Sequence, residues 1–210
     1  MSTGRFITIE GAEGAGKSTN ADLVQEVLER HGFDVLATRE PGGTPLAEEI
    51  RSVLLEPRGE AVDPIAETML IFAARAQHVT AVIEPSLRAG RWVLCERFTD
   101  STFAYQAGGR GVDAEVVAQL AELAHPGLWP DLTLYLDAPP DAAMTRIATR
   151  SLDRFERERR DFFERVRETY AARAREQPHI VHIDAGRDLV SVQREIVGAV
   201  ERFLSTLGNA

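Results

Sequence analysis

Lysine is nearly missing from this chain. Among 24 basic residues Lys17 is the single lysine, and every other one is arginine. A composition that avoids lysine yet keeps it once marks Lys17 for a task that arginine cannot do. Cysteine is equally scarce. Cys95 stands alone, which excludes an intrachain disulfide and fits a reducing, cytoplasmic setting. It reads as a small buried apolar residue and not as a nucleophile. No His/Cys spacing suits zinc. No apolar run approaches the roughly 18–20 residues that span a bilayer. The start, Met1-Ser2-Thr3-Gly4-Arg5, meets an apolar strand with neither a secretory apolar region nor an Arg/Ser-rich presequence. The net charge of −9 lacks the positive field that binds a nucleic-acid polymer.

What is present is an alternation of short apolar runs with helical patterns. Phe6–Ile9, Asp34–Thr38, Trp92–Cys95, Leu132–Leu136 and Ile180–Ile183 read as five strands. Helical periodicity covers 18–31, 45–55 after the cap Thr44-Pro45, 64–89, 99–107, 113–124, 140–148, 155–176 and 188–206. The pattern predicts one α/β domain over residues 1–210, a five-stranded parallel sheet covered on both faces. In such sheets a ligand lies beyond the carboxyl ends of the strands. Residues 11–18, 39–43, 96–97 and Asp137 follow strand ends, with Asp184 after the last, so they should share one rim. Asp137 and Asp184 read either as rim groups or as simple turn caps.

Gly11-Ala12-Glu13-Gly14-Ala15-Gly16-Lys17-Ser18 matches G-x-x-x-x-G-K-[ST] between a predicted strand and a predicted helix. Glycines permit backbone shapes and close approaches that a Cβ would block. Successive N–H groups, those of Thr19 included, then form an anion nest at a helix N-terminus. Lys17 supplies a point charge for the β- and γ-phosphates of a nucleoside triphosphate, and Ser18 a hydroxyl for Mg2+. An N-K-x-D guanine motif is excluded, because the one lysine is already committed.

A small kinase needs a second anion pocket and a cation that arrives late. Arg39, Arg75, Arg97 and Arg110 lie near predicted strand ends and helix starts. Between Arg146 and Arg175 stand ten arginines against six acids. That segment reads either as a solvated helix or as a closing flap, with a lid at about 146–156. A module that binds ATP and signals to a protein partner is the competing class.

Thr38-Arg39-Glu40-Pro41-Gly42-Gly43-Thr44-Pro45, Ala73-Ala74-Arg75-Ala76-Gln77-His78, Ala104-Tyr105-Gln106-Ala107-Gly108-Gly109-Arg110-Gly111 and Pro130-Asp131-Leu132-Thr133-Leu134-Tyr135-Leu136-Asp137 together resemble bacterial thymidylate kinase. The resemblance runs from Ile7 to about Asp184. It implies a three-layer α/β/α fold of the P-loop NTPase type, the reaction ATP + dTMP → ADP + dTDP with Mg2+, and a homodimer. It implies that Arg97 and Arg39 hold the dTMP phosphate. Phe72 and Arg75 would form the thymine pocket, with Thr102 and Gln106 on the base edge. Tyr105 would lie under the deoxyribose and Glu13 near the 3′-hydroxyl. Glu96 would join Ser18 at the metal. The phosphate loop carries no arginine, so the catalytic cation would come from the lid: Arg150, with Arg154 and Arg146 as neighbours, or Arg146 stacked on adenine.

Three positions depart from that pattern. Glu96 stands where aspartate is usual. Phe72 is three residues before Arg75 and not four, and Ile71 occupies the alternative site. Arg150-Ser151-Leu152-Asp153-Arg154 lacks the usual glycine. His78 reads as a packing group.

Overall fold

A computed structural model describes residues 4–139, 141, 153–156 and 158–208. Five strands form one parallel sheet: β1 (Phe6–Gly11), β2 (Val35–Arg39), β3 (Trp92–Glu96), β4 (Leu132–Asp137) and β5 (Ile180–Asp184), in the order β2-β3-β1-β4-β5. Every residue of β1 is buried. A strand covered on both faces has no wet side, so it reads as a near-continuous apolar run. The register pairs Arg39 with Glu96, Ile9 with Glu96, Gly11 with Leu136 and Asp137 with Asp184. The expected rim therefore exists: all five strands end along one edge.

Successive side chains of a strand point to opposite faces. Ile7 and Ile9 pack with Val24 and Leu28 of α1 (Lys17–Arg30) and with Ile196 and Val200 of the closing helix Leu189–Leu207. Phe6 turns the other way, against Phe98, Val79 and Ile83. Thr8 shares that second face and meets Thr133 across the strands at 2.8 Å. Glu10 follows the same parity. A carboxyl group thus enters the interior, where Phe98 N, the Ser101 hydroxyl and the Tyr170 hydroxyl all donate to it at 2.6–2.8 Å.

Three stretches differ from their sequence patterns. The span 64–89 is α3 (Pro64–His78), a π-helical turn (Val79–Ile83) and α4 (Glu84–Arg88). Pro85 explains the widening, because it has no N–H to offer and its ring crowds the carbonyl four residues back. After β3 the chain makes α5 (Thr99–Thr102), then a second π turn (Phe103–Gly109) and α6 (Ala114–Ala124). The pattern at 155–176 starts later than expected, as α7 (Arg160–Glu176). Ahead of it the Asp153 carboxylate accepts from Phe155 N and Glu156 N, which closes a turn instead of a helix. All of the expected helix at 140–148 except Asp141, and most of the expected lid, lie outside the described residues.

The second π turn packs directly on α7. A Cβ on Gly109 would stand 2.4 Å from the Phe162 ring, and Arg165 Nη2 donates to the Gly109 carbonyl at 2.9 Å. Gly109→Ala is therefore expected to lower stability by about 1–3 kcal/mol through overpacking. Urea unfolding followed by circular dichroism checks this; an unchanged midpoint would count against so close a fit.

Candidate functional site

The turn between β1 and α1 is built for an anion. Gly11 has φ 142, and a Cβ there would lie 2.5 Å from the Leu136 carbonyl oxygen. Gly16, at φ 88, is the N-cap of α1 and supplies no capping side chain. The first N–H groups of that helix are thus left for a ligand. Asn20 Nδ2 donates to the Gly16 carbonyl at 2.9 Å and holds the loop closed. The Lys17 ammonium donates to the Gly11 and Ala12 carbonyls at 3.1 and 2.8 Å. Burial, with the Arg97 guanidinium nearby, lowers Lys17 to about 7. A phosphate arriving beside it would restore the charge. Ser18 Oγ donates to Glu96 Oε2 at 3.0 Å, bringing a hydroxyl and a carboxylate together at the loop's edge.

Arg97 follows β3 in the left-handed region, at φ 69, and is the one described non-glycine residue there. Its backbone N–H is anchored on the Ile9 carbonyl at 3.0 Å. Its guanidinium donates to the Gly11 carbonyl at 3.0 Å, to Glu13 at 2.7 Å, and to Ser101 and Tyr105 at 3.2 Å each. The Tyr105 hydroxyl also donates to Glu13, and the guanidinium lies 4.9 Å from the centre of the Tyr105 ring. Burial works against charge on Glu13, yet Arg97 and Lys17 hold it below the usual carboxylate range. Glu10 lies beneath. Burial and the neighbouring Asp100 push it up to about 7.

Arg75 of α3 is almost fully buried, and each arm of its guanidinium is used. Nε donates to Glu40 at 2.6 Å, Nη1 to Thr102 Oγ1 at 3.0 Å and Nη2 to the Phe98 carbonyl at 3.1 Å. His78, one turn on, bridges Glu40 at 3.0 Å and Thr38 at 2.8 Å. Burial opposes the Glu40 charge, but Arg75 and His78 keep that carboxyl low. Cys95 is buried and its thiol is pushed well up, chiefly by burial, as a packing residue should be.

The loop, Arg97 and Arg75 meet in one cavity of about 570 Å3, while His78, Cys95 and Glu10 lie behind its wall. It brings together the phosphate loop (Glu13, Gly14, Gly16, Lys17, Ser18, Thr19), the arginines Arg39, Arg75 and Arg97, the metal candidate Glu96, and Thr102, Tyr105 and Gln106. Phe72 is not in its wall. That ring is buried with Val112, Val117 and Ala121, 4.8 Å from the Arg75 guanidinium. Ile71 lines the cavity in its place, because one residue along a helix turns the side chain by about 100°. Arg110 also points elsewhere, to Glu158 at 2.6 Å and Glu67 at 3.3 Å. Arg154 donates to the Leu54 carbonyl at 2.8 Å and pairs with Glu67 at 2.6 Å. Arg146 and Arg150 lie outside the described residues.

Sequence reasoning missed Arg51 and Glu10. Arg51 of α2 (Pro45–Leu55) lines the cavity, donates to the Pro41 carbonyl at 2.8 Å, and is lowered by burial and by Arg39. Nothing in its helical pattern separates it from a solvated arginine. Glu10 did carry a signal: a carboxyl at the end of an apolar strand must find donors inside.

Comparison with known proteins completes the description. The family model described as thymidylate kinase matches residues 9–196. Thymidylate kinase of Chromobacterium violaceum is 52% identical over 203 residues, covering 96% of this chain and 95% of the relative. That of Chromohalobacter salexigens is 53% identical over 210 residues, covering 98% and 99%. The crystal structure of thymidylate kinase from Ehrlichia chaffeensis matches with a TM-score of 0.75 at 32% identity, over 93% of this chain and 98% of that one.

The lowered Lys17 ammonium has a measurable consequence. Near pH 8 it is largely neutral in the free protein, and a triphosphate in the loop would recharge it. Binding of a non-hydrolysable ATP analogue at that pH should therefore take up close to one proton, about what a group moved from pKa 7 to well above 8 must bind. Calorimetry in buffers of different ionisation enthalpy reads this directly. No uptake, or the same uptake in Lys17→Ala, would remove Lys17 from the triphosphate.

Proposed function

The chain belongs to the thymidylate kinase family, and on that premise we infer that it transfers the γ-phosphoryl group of ATP to dTMP, giving ADP and dTDP. The observation that carries this reading is the two-sided cavity. Unfilled helix N–H groups and one ammonium form one wall, and guanidinium groups form the facing wall. Residues 11–19 are proposed to hold ATP, with Lys17 on its β- and γ-phosphates. Arg97, Arg39 and Arg51 are proposed to hold the dTMP phosphate. Arg75, Thr102, Gln106 and Ile71 would surround the base. Tyr105 would lie under the deoxyribose, and Glu13 would orient the Arg97–Tyr105 pair. Arg150 is proposed as the late cation and Arg146 as an adenine neighbour, in a lid outside the described residues.

A dTMP phosphate oxygen attacks the γ-phosphorus, and the bond to the β–γ bridging oxygen breaks. ADP leaves with that electron pair. The attacking group is already an anion, so positioning and charge neutralisation dominate over proton removal. The Ser18 hydroxyl and Glu96 carboxylate are hard oxygen donors that suit Mg2+, an ion that takes one or two protein oxygens and completes its shell with phosphates and water. When bound, Mg2+ neutralises phosphate charge. The proposal sets the reaction in the cytoplasm, where ATP and dTMP meet. No helix among the described residues is long and apolar enough to cross a membrane.

A homodimer is part of the same proposal. Leu46 and Val53 lie seven apart on α2, and Ile65 and Met69 four apart on α3, so each pair shares a helix face. The two helices pack side by side, and all four side chains are exposed. A second copy of this chain would cover that face.

Two measurements test this reading. In a coupled ADP assay with a panel of pyrimidine nucleotides and nucleosides, dTMP should give the highest kcat/KM. Equal rates with dUMP and thymidine would defeat the assignment of substrate. In sedimentation, the native chain should run as a dimer and Met69→Glu as a monomer; a native monomer would overturn the dimer.

A further inference from the structure

Glu67 lies outside the cavity wall, is fully buried, and has no role in the account above. It sits on α3 two turns before Arg75. Three side chains from two segments converge on its carboxylate. Gln106 Nε2 donates to Oε1 at 2.8 Å from the second π turn. Arg110 Nε approaches the same oxygen at 3.3 Å, and Arg154 Nη2 lies 2.6 Å from the other one. A carboxylate ion-paired to two guanidinium groups can only accept hydrogen bonds. The Gln106 amide must therefore turn its nitrogen to Glu67 and keep its oxygen for the cavity that Gln106 lines.

A second polarity is set the same way. Arg75 Nη1 donates to Thr102 Oγ1 at 3.0 Å, so the Thr102 hydroxyl has its own hydrogen left to give. The base-reading wall thus offers one acceptor, the Gln106 oxygen, and one donor, the Thr102 hydroxyl. A pyrimidine with a ring N–H beside a carbonyl is its complement. A cytosine edge presents the reverse order: its unprotonated ring nitrogen would meet the Gln106 oxygen acceptor to acceptor, and the Thr102 hydrogen would lose the carbonyl it is placed to reach, in a buried site.

We propose that Glu67 is a specificity-positioning residue: by fixing which end of the Gln106 amide faces the cavity, it makes the site accept thymine- and uracil-type bases and reject cytosine. This rests on the dTMP reading above, and the two can fail separately. A native chain that does not phosphorylate dTMP sinks that reading. A native chain that does so, with discrimination indifferent to Glu67, sinks only this one.

The test compares kcat/KM for dTMP and dCMP in the native protein, in Glu67→Gln and in Glu67→Asp. A glutamine at 67 can donate as well as accept, so Gln106 is free to flip. In Glu67→Gln the dTMP to dCMP ratio should fall by about tenfold or more, mainly through KM. Glu67→Asp, which still only accepts, should retain most of the ratio. A role in packing alone would lower the melting temperature and both activities together with the ratio intact, and that result overturns the proposal. A crystal of the native protein with dTMP decides the matter even where a variant does not fold. Gln106 should remain within hydrogen-bond distance of Glu67 while contacting the base; an amide released from Glu67 on binding also overturns it.

Discussion

The grip of Glu13 and the Gly11 carbonyl on the Arg97 guanidinium organises the rim. It joins the loop after β1 to the turn after β3, so that the two walls of the cavity are fixed relative to each other. The backbone conformation of Arg97 costs about 1–3 kcal/mol for a residue with a Cβ, offset by its bond to the Ile9 carbonyl and by four side-chain contacts. Both members of the pair are mostly shielded from water, so losing either would leave a charge stranded. On the proposed function, a substrate phosphate entering this site would compete with Glu13 for a guanidinium that is already aimed.

Two titrations at the same strand end act in opposite directions. Glu10 is raised from 4.5 to about 7, so the folded chain holds a proton that the unfolded chain has released between those values. Its contribution to stability is present at low pH and is lost as pH rises through 7. Lys17 is lowered from 10.5 to about 7, so the unfolded chain binds the extra proton, and stability from this group rises between pH 7 and 10.5. Both shifts arise from burial: Lys17 in the cavity wall and Glu10 in the interior beneath it.

Much of this was legible beforehand, for physical reasons. The buried strands are apolar runs of the right length, and the phosphate loop is a local motif whose glycines act through the backbone alone. The three-layer order and the shared rim follow from those two signals. What escaped the sequence depends on rotation and docking. A one-residue difference along α3 decides whether Ile71 or Phe72 meets the cavity, and the two spacings to Arg75 look alike in one dimension. The π turns, at Val79–Ile83 and Phe103–Gly109, change helical phase without changing composition. Arg51 and Glu67 acquire meaning only when α2, α3 and the segment at 153–156 are brought together.

The lone lysine carries a liability as well as a task. An ε-amine with a pKa near 7 is partly unprotonated at neutral pH and therefore nucleophilic. Arginines elsewhere offer electrophiles no comparable target. Acylating or carbamylating agents would thus find one reactive side-chain amine in the whole molecule, at the spot where a bound triphosphate would shield it. On the proposed function that amine would be a covalent handle whose reactivity reports whether the loop is filled.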